Sequence, residues 1–85
     1  MNCLFDIKVV LCKDMEKSMD NLEEITLCQG VFKKTIEGII KKTGIFPVVG
    51  DWVVPLEGKD WGYDIGEVCG RNFDINKNLI EYEIG

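Results

Sequence analysis

The chain has 85 residues, of which 46% are hydrophobic and 29% charged, and carries a formal net charge of −5. That length holds one small core and excludes a second domain, so residues 1–85 are expected to fold as a single unit, and the composition excludes a disordered or low-complexity chain. The charge is unevenly placed: lysines 8, 13, 17, 33, 34, 41 and 42 balance acids 6, 14, 16, 20, 23, 24 and 37, whereas beyond residue 43 only Lys59, Arg71 and Lys77 oppose acids 51, 57, 60, 64, 67, 74, 81 and 83. The second half is thus acidic, and general nucleic-acid binding, which needs lysine and arginine to displace counterions from phosphates, is not expected.

Residues 3–12 alternate as a strand, with Cys3, Phe5, Ile7, Val9 and Leu11 on the face expected to meet the core. Asp6 and Lys8 interrupt this stretch, unlike the core of a signal peptide, and no apolar run approaches the ~20 residues of a membrane span. A cytoplasmic protein with no membrane partner is the expectation. The next segment, KDMEKSMDN, reads as a polar loop.

Asp20 and Glu23 have capping-box spacing and predict a helix start, with Leu22, Ile25, Gln29, Phe32, Ile36 and Ile39/Ile40 on one stripe. The helix is firm from Val31 to Thr43, with Gly44 as its cap and Pro47 as its stop. Residues 20–29 also alternate, and helix or strand is left open there.

Beyond Gly44 the period becomes extended. DWVVPL reads as a strand after a Gly-Asp turn, EGKDWG as a loop, and YDIGEVCGRNFDI as a strand in which Gly66 and Gly70 permit a bulge, a bend or a close backbone approach. DINKN then turns the chain into LIEYEI, where Ile80, Tyr82 and Ile84 share one face. The predicted fold is α+β: one helix packed on a small, mainly antiparallel sheet of about four strands, in the order strand-helix-strand-strand-strand. The first strand can rejoin the sheet parallel to a neighbour on either edge.

No histidine is present, so Ser-His-Asp and Cys-His machinery is absent, and the one serine, Ser18, lies in the polar loop. Cys3, Cys12, Cys28 and Cys69 form no C-x-x-C pair and read as free thiols, with Cys69 expected to be a buried structural thiol; no metal and no cofactor is expected. Asp51, Asp60, Asp64 and Glu67 offer carboxylates for acid–base work, but a solvated acidic face is the stronger reading.

The GDWV start resembles the turn and strand that open small KOW-type barrels, whose nucleic-acid partners want a basic face that this half lacks; Gly-Asp before a valine-rich strand is first of all turn chemistry. Residues 45–84, IFPVVGDWV…EVCGRNFDINKNLIEYEI, resemble the C-terminal part of small accessory proteins of phages and prophages. Those carry a P-x-x-G-D-x-V strand before a V-x-x-R-x-F-D strand and an alternating final strand. The resemblance implies a compact β-rich fold in the cytosol of an infected bacterium, and no reaction.

The aromatic cluster is the strongest pointer to a site. Trp61 sits in a polar loop flanked by glycine and reads as a contact residue; Trp, Tyr and Arg dominate binding hot spots because they offer broad surface with a polar handle. Trp61, Tyr63 and Arg71 are expected to converge with Asp51 or Asp60 on one patch. Trp52 either plugs the helix–sheet core, the preferred reading, or stands on the open face and joins them. The resulting expectation is a non-enzymatic phage-type binding protein, too small to bury all its edges alone and so a homo-oligomer, that inhibits a host defence component by binding it. The alternatives are a sponge for a small nucleotide signal, with the aromatics stacking a base and Arg71 holding a phosphate, or a small carboxylate enzyme acting on a nucleotide.

Overall fold

A computed structural model of the chain describes residues 5–17, 21–55 and 65–85. Its elements are β1 (Asp6–Leu11), α1 (Lys13–Lys17), α2 (Leu22–Thr43), β2 (Trp52–Val53), β3 (Gly66–Asp74) and β4 (Leu79–Ile84). The four strands form one sheet in the order β1-β4-β3-β2. β1 lies parallel to β4, while β3 pairs antiparallel with both β4 and β2. This is the predicted α+β arrangement, and it places β1 on the edge beside β4.

The parallel pairing follows from the crossover: the chain leaves β1, passes through α2 on one face, and enters the sheet again at the opposite edge as β2. α2 packs on β1 and reaches β2, so it lies across the sheet. Residues Ile7, Val9 and Leu11 of β1 and Ile80, Tyr82 and Ile84 of β4 stand opposite one another in register and are buried against it. Val53, Val68, Cys28, Phe32 and Ile36 complete the core. Each large apolar side chain buried here contributes about 1.5–3 kcal/mol relative to exposure, so this single cluster carries the fold.

Several local readings need correction. The segment after β1 is not all loop: Lys13–Lys17 forms a short helix whose Met15 is buried. Residues 22–30 are helical and continuous with the rest of α2, because the tertiary burial of Cys28 and Phe32 on one face outweighs the weak propensities of Thr26, Cys28 and Gly30. The cap is Asn21, one residue later than the capping-box spacing suggested: its Oδ1 accepts from the Glu24 backbone N–H at 2.9 Å. The buried stripe of α2 is Cys28, Phe32, Thr35 and Ile36, so Phe32 and Ile36 of the expected stripe face the core, while Leu22, in the first turn, is 75% exposed. Thr35 is accommodated because its hydroxyl donates to the Val31 carbonyl at 2.8 Å.

Gly44 closes α2 in the left-handed conformation, with φ 71°, its N–H donating to the Ile40 carbonyl. The chain then crosses back under the sheet edge through Phe46 and the buried Pro47. The β3–β4 turn is closed by the Asp74 carboxylate, which accepts from the N–H groups of Asn76 and Lys77 at 3.1 Å each.

Two of the three uses expected of the β3 glycines occur, a close approach and a bulge. A Cβ on Gly66 would lie 2.6 Å from Ile84 Cγ2 and 2.7 Å from Phe32 Cζ, so the strand touches the helix directly there. Next to Gly70 the β3–β4 register slips between Val68 and Gly70, leaving Cys69 as the extra residue of a bulge.

Candidate functional site

The sheet has two different faces. Against α2 stand Val53, Gly66 and Val68, and the opposite face is open. Cross-strand register assigns Trp52 and Glu67 to the open face, together with Asp6 and Lys8 of β1 and Glu81 and Glu83 of β4.

Trp52 therefore does not plug the core; it is 61% exposed. The register places Val53, opposite Gly66, on the helix side, where it is buried, and so turns its neighbour Trp52 to the open face. Trp52 is paired across the strands with Glu67.

Among the described strand residues of this face, Lys8 is the basic one, and its ammonium lies 3.6 Å from the Glu81 carboxylate. Such an exposed pair is worth roughly 0–1 kcal/mol, so it orients charge more than it stabilises. With Asp6, Glu67 and Glu83 added, the open face presents an indole in a negative field.

Arg71 is placed elsewhere. It pairs in register with Tyr82, whose side chain points to the helix side. Its Nη1 donates to the Pro47 carbonyl at 2.9 Å, the same oxygen that accepts from the Tyr82 hydroxyl at 2.8 Å. The guanidinium also lies over the Phe73 ring, 5.0 Å from its centroid. Arg71 thus braces the 44–51 segment to the sheet and does not converge with Trp52. The Tyr82 phenol is held above its ordinary pKa, chiefly by burial, with Arg71 acting in the opposite sense.

Asp51 is also engaged in structure. Its carboxylate accepts from the Val48 N–H at 2.9 Å, and its own N–H donates to the Val48 carbonyl at 3.0 Å, closing the turn in which Gly50 has φ 100°. The Gly-Asp pair is turn chemistry, as the sequence suggested. Trp61, Tyr63 and Asp60, the remaining predicted site residues, lie outside the described residues, as does Asp64.

Cys69 is exposed, not buried, since the bulge turns it to the open face. Its thiol is held above the ordinary value by partial desolvation and then by the neighbouring Glu67, Cys12 and Glu83. Arg71, across the sheet, does not activate it. Among the described residues, no group of three or more His, Cys, Asp or Glu side chains is arranged to hold a metal ion.

Sequence reasoning did not single out a second set of exposed apolar residues: Ile45, Val48 and Val49 on the segment that Arg71 braces, and Phe73 and Ile75 at the far end of β3. The signal was present in the F-D-I triplet, where two apolar residues flank an aspartate that begins a turn.

No known protein family, curated protein or solved structure matches this chain. Among the described residues, no helix is long and apolar enough to cross a membrane.

Proposed function

We propose that this chain is a non-enzymatic binding protein that captures a basic protein surface with the open face of its sheet, Trp52 serving as the aromatic anchor. The observation that carries this reading is the 61% exposure of Trp52 on a face whose other charged strand residues are mostly acidic. A large indole left in water contributes nothing to this small core, whereas at an interface it is among the side chains that contribute most. The surrounding carboxylates steer a cationic partner to it.

The resemblance of residues 45–84 to phage accessory proteins extends the proposal to its target class, a host component blocked by occupation. Homo-oligomerisation belongs to the same proposal: β1 is a six-residue edge strand, and its outer hydrogen-bonding groups suit a second copy or a partner strand. The nucleotide-sponge alternative has less support, because Arg71 faces the other side and is committed to Pro47 and Phe73, while Lys8 stands beside Glu81. An enzyme using Asp51 and Glu67 also has less support, since the Asp51 carboxylate caps a turn.

The test is affinity capture from bacterial lysate with the parent, Trp52→Ala and, as a helix control, Leu22→Ala. The reading expects a partner held by the parent and by the control but lost from Trp52→Ala, with all three melting at the same temperature and capture weakening as salt is raised. Equal capture by Trp52→Ala would remove the anchor role.

A further inference from the structure

Cys12 and Cys69 come together on the open face from opposite sides of β4. Cys12 continues the β1 ladder, its N–H donating to the Ile84 carbonyl at 2.8 Å, and so arrives beside Gly85. On the other side Glu67 and Gly85 exchange backbone hydrogen bonds at 3.0 and 2.9 Å, and the bulge turns Cys69 toward the same glycine. The point where a Cβ of residue 85 would lie is 2.8 Å from the Sγ of each cysteine. The two sulfurs are therefore no more than twice 2.8 Å, or 5.6 Å, apart. Both are free thiols on residues reached by solvent.

A direct disulfide does not suit this arrangement. The two backbones flank β4 and are separated by two strand spacings, about 9.6 Å, whereas a disulfide holds its Cα atoms within about 6.8 Å. A bridging atom does suit it. Metal–thiolate bonds are about 2.3 Å long, so a cation placed in line between two sulfurs spans about 4.6 Å, inside the 5.6 Å limit. Zinc would want four ligands, and no set of three or more is present among the described residues. A soft cation content with two thiolates is the one that matches.

We propose that Cys12 and Cys69 form a two-coordinate thiolate site for copper(I), seated over Gly85. Binding converts two thiols and one copper(I) ion into a bis-thiolate complex of charge −1 and releases two protons, with no change of oxidation state. The absence of a side chain at Gly85 leaves the place of the metal vacant of carbon. Affinity rises with pH, because protons are released.

The experiment is anaerobic titration of the full chain with copper(I) buffered by bicinchoninate, read by chelator absorbance, with X-ray absorption for the ligand set and light scattering for size. The expected result is one copper(I) per chain with two sulfur neighbours at unchanged molecular mass. Cys12→Ser and Cys69→Ser each lose this binding, and Cys3→Ser and Cys28→Ala keep it. Gly85→Ala retains all thiols yet binds more weakly, because its methyl group occupies the metal's position. Circular dichroism checks that each variant is folded. Stoichiometric binding by Cys12→Ser or Cys69→Ser, parental affinity in Gly85→Ala, oxygen or nitrogen neighbours, or one copper per two chains would each overturn the proposal.

Discussion

Substitution of Gly66 by alanine is the sharpest test of how the helix and sheet meet. The added Cβ would stand 2.6 Å from Ile84 Cγ2, 2.7 Å from Phe32 Cζ and 2.9 Å from Phe32 Cε1, all well inside carbon–carbon contact distance. Phe32 and Ile84 are both fully buried, so neither can swing into solvent. Backbone strain is not a factor, since the positive-φ glycines are Gly44 and Gly50. What remains is overpacking, which costs about 1–3 kcal/mol. For a domain of this size each kcal/mol lowers Tm by about 4–8 °C, giving an expected fall of about 4–24 °C.

Thermal and urea unfolding followed by circular dichroism measure the effect. Combining Gly66→Ala with Phe32→Leu removes the ring atoms that collide, so the double variant should lose less stability than the sum of the two single losses. A Gly66→Ala protein with the parental Tm, or strictly additive losses, would refute the close approach.

Two further outcomes follow from single groups. Asn21→Ala deletes the side-chain cap on the Glu24 N–H and should cost about 1 kcal/mol, seen as a lower urea midpoint with unchanged slope. Burial pushes the Cys28 thiol from 9.0 up to about 12. Below pH 9 folded and unfolded thiols are both protonated and stability does not depend on this group. As pH rises from about 9 to about 12 the unfolded thiol ionises while the folded one keeps its proton, so stability falls. Urea midpoints measured across that window should fall less steeply in Cys28→Ala than in the parent.

The sequence was informative where a single period governed several residues. β4 alternates without interruption, and Ile80, Tyr82 and Ile84 are buried as that pattern demands. The second half of α2 was equally plain, because Phe32 and Ile36 lie on one stripe and Gly44 and Pro47 end it. The first half was ambiguous because Thr26 and Cys28 are weak helix formers, and the burial of a small side chain such as Cys28 is decided by what packs over it. Trp52 was misjudged for a similar reason: in a two-residue strand, alternation cannot say which of Trp52 and Val53 faces inward, and the answer came from the pairing of Val53 with Gly66 on the helix side of β3.

Arg71 shows how one residue redirects a site. Counted by strict alternation from Glu67, residues 69, 71 and 73 would share the face of Trp52, and the guanidinium would join the indole. The bulge sets both Cys69 and Gly70 against Glu83, so parity reverses and Arg71 lands beside Tyr82 on the helix side. Removing Cys69 altogether would restore an unbroken ladder without reversing parity again, because Val68 and Gly70 already oppose the consecutive residues Ile84 and Glu83. A chain lacking Cys69 should therefore fold and retain the Arg71 and Tyr82 hydrogen bonds to Pro47. In a Tyr63→Phe background, phenol absorbance during alkaline titration reports Tyr82 alone, and its raised pKa should persist after the deletion. An ordinary phenol titration in a folded deletion variant would mean that Tyr82 has lost its burial and that the β3–β4 register depends on Cys69, because burial is what raises the phenol and Arg71 lowers it.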